Sequence, residues 1–280
     1  MLKKNLLNLL LLIIVITLIY LVVHTKPENN RLDTLTHIQP ETIKQIIIRH
    51  HGHTSKLIKK TDGKQTFWQF TQPINIAANN FRIKALLALL NAPVDAQYKT
   101  IKMNLQTIGL AHADTSIEFN QQRIQFGIIN PLNGLRYILY HNRVYLIQDV
   151  FFPLINSDFS TLVALELLPH NSHIRKLVLP GQRIFKTAKG LWKSTLKQPT
   201  DAIINTLQQW QNIQAFGVHQ YLPRASQGTI QVFLDTEKNP LIFQITSTRP
   251  WVILARPALH LEYHLDKKNS QQLFKPVAQY

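Results

Sequence analysis

Three imidazoles fall within four residues, His50, His51 and His53, and imidazole is the commonest protein ligand for transition metals. The spacing works against a metal site. Successive side chains of a strand point to opposite faces, so His51 and His53 would share a side and His50 would point away. Gly52 marks a hairpin tip, and no carboxylate stands inside the cluster to orient a ring. A solvated turn is the expectation, with no metal assigned. The carboxylates, among them Asp62, Asp114, Glu118, Asp149, Asp235 and Glu262, are dispersed without the spacing of a general acid–base pair. Gly109, Gly127, Gly134, Gly181 and Gly190 form neither a Gly-x-Gly-x-x-Gly nor a Walker pattern. The chain has no cysteine, which removes thiolate catalysis, disulfides, zinc–cysteine sites and iron–sulfur clusters. The reading is therefore non-enzymatic, with no catalytic residue and no cofactor.

The first element that would position such a chain is apolar. From Leu6 to Val23 the only polar side chains are Asn8, Thr17 and Tyr20. At a rise of about 1.5 Å per residue the run nearly crosses a hydrocarbon layer of about 30 Å. It is longer than the apolar region of a secretory signal and ends in Val22, Val23, His24, Thr25 and Lys26 with no small-x-small site, so an uncleaved transmembrane anchor is expected. Lys3 and Lys4 place the amino terminus in the cytoplasm by the positive-inside bias. The expected location is the bacterial inner membrane, single-pass, with the lipid bilayer bound through Leu6 to Val23 and everything beyond it in the periplasm. Residues 1–25 form the stub and anchor and 26–40 a linker; two units follow, 41–168 and 169–280.

Those units rest on a repeated order of elements. In the first, strands begin at Ile46–Ile48, Lys56–Lys60 and Phe67–Trp68. In the second, they begin at Leu177–Leu179, Gln182–Lys186 and Leu191–Trp192. A proline follows each tryptophan (Pro73, Pro199), and then a helix. Asn79 or Asn80 is expected to cap the first helix, which buries Ile83, Leu86, Leu87 and Leu90. Thr200 or Asp201 is expected to cap the second, which buries Ile203, Ile204, Leu207 and Trp210. Each helix leads into four alternating strands, with His141–Asn142 as a tight turn in the first set. The fold class is thus α+β: an N-terminal transmembrane helix, then a strand-rich region made of two copies of an antiparallel sheet-plus-helix unit. Asp149 to Leu168, with Pro153 and a helical tail, joins them. Trp68 and Trp192 are expected to be core anchors.

The stretch Ile43 to Ile184 carries further landmarks: Trp68 and Pro73 ahead of the helix Phe81–Leu90, Gly109–Leu110, the strand Ile117–Phe119, Gly127, and Arg136–Tyr137 leading to Val144–Tyr145 and Asp149. In these it resembles a bacterial family of membrane-anchored domains of unknown function, some members of which sit beside auxiliary subunits of gliding-type ABC transporters. The resemblance implies the architecture and the location. It transfers no active site.

Thirty-one Lys and Arg against 15 Asp and Glu leave a net charge of +16, enough to attract anionic lipid or glycan. The basic residues are scattered singly rather than in blocks, so a solvated basic face is expected and no nucleic acid partner. A membrane-tethered periplasmic accessory or scaffold protein is the leading expectation, bound to another envelope protein through strand edges and through Phe151, Phe152, Phe159, Trp251 or Tyr280. Two alternatives stand beside it: an enzyme acting on an anionic envelope glycan or lipid, and a carrier of lipid or small ligands.

Overall fold

The computed structural model of the chain describes residues 12–17, 20, 33–63 and 65–274. Residues 12–17 and 20 are helical and exposed, and the rest of the expected span Leu6–Val23 lies outside the described residues. Among the described residues no helix is long and apolar enough to cross a membrane.

The first sheet is built from β1 (Gln45–His50), β2 (His53–Asp62), β3 (Gln65–Gln72), β4 (Ile76–Ala77), β5 (Ala96–Lys99), β6 (Thr115–Phe119), β7 (Gln122–Ile129), β8 (Arg136–Tyr140) and β9 (Arg143–Ile147), with helix α1 (Asn80–Leu87) inserted before β5. A short helix α2 (Phe152–Ile155) leads on to β10 (Ile174–Leu179), β11 (Gln182–Lys186), β12 (Trp192–Ser194), helix α3 (Thr200–Asn212), β13 (Gly217–Gln220), β14 (Gly228–Leu234), β15 (Leu241–Ser247), β16 (Val252–Arg256), β17 (Leu261–Leu265) and helix α4 (Lys267–Phe274). The sheets run β4-β3-β2-β1-β6-β7-β8-β9-β5 and β12-β11-β10-β14-β15-β16-β17-β13. Apart from the extra edge strand β4, the two orders are the same. The chain is a strand-rich α+β protein with two antiparallel sheets and few helices.

Local chemistry sets the turns. His51–Gly52 (φ 45° and 80°) and His141–Asn142 (φ 44° and 59°) both take positive φ, the conformation that lets a two-residue loop match the twist of its strands. Alternation then sorts the faces: in β8 Arg136, Ile138 and Tyr140 are buried while Tyr137 and Leu139 are partly exposed. The core-facing set, including Ile46, Leu57, Phe70, Ile117 and Ile138 of the first sheet and Leu177, Ile230, Phe243 and Leu254 of the second, belongs to one hydrophobic cluster that runs through both sheets. Each such side chain contributes about 1.5–3 kcal/mol.

The helices differ from expectation at their ends. Asn79 does cap α1, its side chain accepting from the Arg82 N–H at 3.2 Å. The helix gives way at Ala88 to a 3-10 turn through Asn91, which buries Leu89 and Leu90. Neither Thr200 nor Asp201 caps α3; Pro199 occupies that position without a side-chain hydrogen bond. Ile203, Leu207 and Trp210 are buried, but Ile204 turns outward at 37% exposure. Trp210 Nε1 donates to the Leu273 carbonyl at 3.0 Å and so ties α4 to α3. Of the two repeated tryptophans, Trp68 is buried, whereas Trp192 on edge strand β12 is only half-buried.

The short strands β5 and β13, one after each helix, escaped the pattern reading because four residues with patterns of one or no buried position carry no clear alternation. The joining segment has no helical tail. After α2 it makes a 3-10 turn, Phe159–Leu162, and then extends along both units. Asn79 N–H donates to the Leu162 carbonyl, Ala164 N–H to Ala77, and Ala215 N–H to Leu165. Ahead of β1, Leu35 is buried and its N–H donates to the Ala92 carbonyl.

Several sequence landmarks meet at one knot. Arg136 Nε and Nη2 donate to the two carboxylate oxygens of Asp149 (2.5 and 2.9 Å), and Nη1 donates to the Gly127 carbonyl. The guanidinium lies 3.6 Å from the centre of the Phe152 ring. Gly127 must lack a side chain because a Cβ there would overlap the Ile108 carbonyl oxygen.

Candidate functional site

The histidine triplet does not assemble as strand alternation alone implies. His50 and His53 are direct cross-strand partners flanking the turn, and His51 lies within it. His50 Nδ1 is 2.7 Å from Thr115 Oγ1, while His51 and His53 are exposed. Among the described residues no group of three His, Cys, Asp or Glu is placed to hold a metal ion.

A different cluster forms on the outer face of the second sheet, where β13, β17 and β16 lie side by side. The register pairs His219 with Glu262 and Gly217 with His264, and alternation puts Glu262 and His264 on the same face of β17. The Glu262 side chain is 2% exposed. Its oxygens accept from Arg224 Nη2 at 3.0 Å, from the Leu222 N–H at 3.3 Å and from His264 Nε2 at 2.8 Å. An ionised carboxylate only accepts, so this contact places the His264 proton on Nε2 and fixes the ring. His219 stacks obliquely on His264, ring centres 4.5 Å apart. Gly217 makes room for it: a Cβ there would stand 2.8 Å from His219 Nε2.

Two aromatic side chains complete the surface. Phe216 and Trp251 are 52% and 48% exposed. They meet edge to face at 5.5 Å, and both approach His264, at 6.1 and 6.4 Å. The Phe216 N–H donates to the His264 carbonyl. The buried carboxylate thus orients an imidazole, and both half-exposed aromatic rings lie against that imidazole. Half-exposed Trp and Phe that pack on each other and on a hydrogen-bonded His have the composition of a recognition surface.

The first unit meets the same geometry with other side chains. Its register pairs Ala96 with Leu146 and Tyr98 with Val144, so Tyr98, Val144 and Leu146 stand where His219, Glu262 and His264 stand in the second. Val144 is buried there with Ile108 and Leu110 beneath a loop of its own. One unit closes this face with an apolar plug, the other with an ionic one.

Of the aromatic contact points expected from sequence, only Trp251 reaches solvent in this way. Phe152 lies under Arg136, Phe159 packs edge-on against Phe70 at 5.9 Å, Phe151 is half-buried, and Tyr280 lies outside the described residues. The cluster itself was missed. A Glu-x-His spacing on the expected strand Leu261–Leu265 was the available signal, but His219 sits on unrecognised β13, and Arg224 comes from a loop without pattern.

Burial lowers the pKa of His219, neighbouring His264 and Arg82 lower it further, and Glu262 opposes them. A histidine held below its unfolded value binds its proton more readily when unfolded. Its contribution is therefore intact above an unfolded pKa of about 6.5 and is lost as pH falls through the folded value. His219→Tyr, which installs the residue of the first unit, is expected to shift the acid limb of a pH–melting-temperature curve to lower pH. An unchanged limb would show that His219 carries no such linkage.

No protein-family model matches the chain, and no curated protein or solved structure is significantly similar to it.

Proposed function

We propose that this is a non-enzymatic accessory or scaffold protein of the bacterial inner membrane, anchored by Leu6–Val23 with its amino terminus in the cytoplasm. Its periplasmic body consists of two diverged copies of one sheet-plus-helix unit and binds another envelope protein. The shared strand order of the two sheets supports the duplication. The observation that carries the binding role is the Trp251–Phe216 patch, half in solvent and held from below by buried Glu262 through His264. The second copy has exchanged an apolar plug for this support and is the one that presents the patch.

The test is site-directed photo-cross-linking in intact membranes from exposed Thr248, beside the patch. A reproducible adduct with one envelope protein is expected, weakened at least about tenfold by W251A with F216A, because central aromatic anchors typically contribute 2 kcal/mol or more. An adduct indifferent to both substitutions would remove the patch from the interface. Protease added to spheroplasts tests the topology separately and must degrade the carboxy-terminal body.

A further inference from the structure

The first unit contains an open groove of about 650 Å³ between the β2–β3 hairpin, α1 and the segment that enters β1. This is within the range of about 300–1,000 Å³ common for ligand sites. Trp68, Leu87 and Phe151 supply apolar wall, and Lys59 and Lys84 supply two ammonium groups. Lys59 Nζ donates to the Glu41 carbonyl at 2.9 Å, which fixes one cation at the mouth. Glu41 also lines the groove.

The second unit explains why the groove exists. Lys59 faces Trp68 across β2 and β3 as Lys186 faces Trp192 across β11 and β12. In the second unit Lys186 lies over the indole, 5.3 Å from its centre. There the thirteen-residue α3 packs along β12, and the eight-residue α4 packs against α3. In the first unit the helix after the tryptophan continues from eight α-helical residues into the 3-10 turn Ala88–Asn91, but the helix that would pack against it, α2, has only four residues. Lys59 turns away to Glu41, and the indole is left lining a space.

We propose that this groove binds a single-chain lipid with an anionic head group, its chain against Trp68, Leu87 and Phe151 and its head group between Lys59 and Lys84. Charge complementarity selects the anion. Two lysines outweigh one glutamate locally, and the chain as a whole carries +16, which raises the local concentration of anionic ligands. An apolar wall with a few placed charges is the composition that orients an amphiphile. The site does not involve the Trp251 patch and does not depend on the docking role.

The experiment uses the full chain in phosphatidylcholine nanodiscs with a diazirine-bearing palmitate as the probe, read by mass spectrometry of labelled peptides. Saturable labelling of peptides spanning residues 59–93 is expected. A88W, at an exposed position lining the groove, should abolish it. K84E should weaken it about tenfold, the size of one lost charge-assisted contact. The matching diazirine alcohol should label these peptides only weakly. No labelling there, labelling unchanged in A88W, or equal labelling by acid and alcohol would overturn the proposal. Labelling of peptides from residues 5–26 reports the membrane anchor independently, so failure of one reading is distinguishable from failure of the other.

Discussion

Replacing Asp149 by alanine is expected to destabilise the first unit by about 3–5 kcal/mol, because it strands a buried cation. Arg136 is 7% exposed, and its guanidinium divides its donors between both Asp149 oxygens and the Gly127 carbonyl, with the Phe152 ring against its face. Without the carboxylate, one carbonyl and one ring must hold a charge that is mostly withdrawn from water. Removing the charge as well should be gentler. Arg136→Met with Asp149→Leu replaces the pair by apolar groups and is expected to recover a large part of the loss. Urea unfolding of the full chain in a mild detergent, followed by tryptophan fluorescence, measures the differences. A loss under about 1 kcal/mol for D149A would mean that the bidentate pair is not what closes this end of the sheet.

That knot bears on how much of the molecule was legible in the sequence. Gly127, Arg136 and Asp149 stood out as landmarks, but their types alone do not say what they do. Their function is contact in space: Gly127 is small because the Ile108 carbonyl passes over it, and its own carbonyl is spoken for by Arg136. Strands with clear alternation, such as Ile117–Phe119 and Arg123–Phe126, were readable because one face meets the core and period-2 patterning records it. The helices were readable from their buried stripes. Their caps were less so: Asn79 accepts from a backbone N–H as its type implies, whereas Thr200 and Asp201 are equally good formers of a cap and neither forms one.

The site was almost illegible for a related reason. Glu262 is one of many carboxylates, and what singles it out is burial against Arg224, 38 residues away in a loop, and proximity to His219 on a strand too short to carry a pattern. The triplet His50–His53 was conspicuous because it is contiguous, yet the hairpin turn leaves His51 and His53 in solvent and ties His50 to Thr115. Convergence across a sheet depends on register, which the identity of single residues does not announce. The equivalence lies in the strand registers, in which Tyr98, Val144 and Leu146 occupy the positions of His219, Glu262 and His264.

The same comparison yields the second large expected effect. E262A should cost about 3 kcal/mol or more, since it leaves His264, the Leu222 N–H and Arg224 without their common acceptor beneath the surface. R224A should cost less, about 1–2 kcal/mol, because a third of that side chain already lies in solvent, which screens the pair. If the ionic plug is an alternative to the apolar one, then E262V with R224L and H264L, which copies the logic of Val144 and Leu146, should restore much of the stability that E262A loses. It should not restore docking. Phe216 and Trp251 would then rest on a leucine without the fixed imidazole, and cross-linking from Thr248 should remain weak in a protein that melts near the wild-type temperature. Recovery of both stability and cross-linking would show that the cluster serves packing alone. Recovery of stability without cross-linking would separate the support of the aromatic patch from the support of the fold.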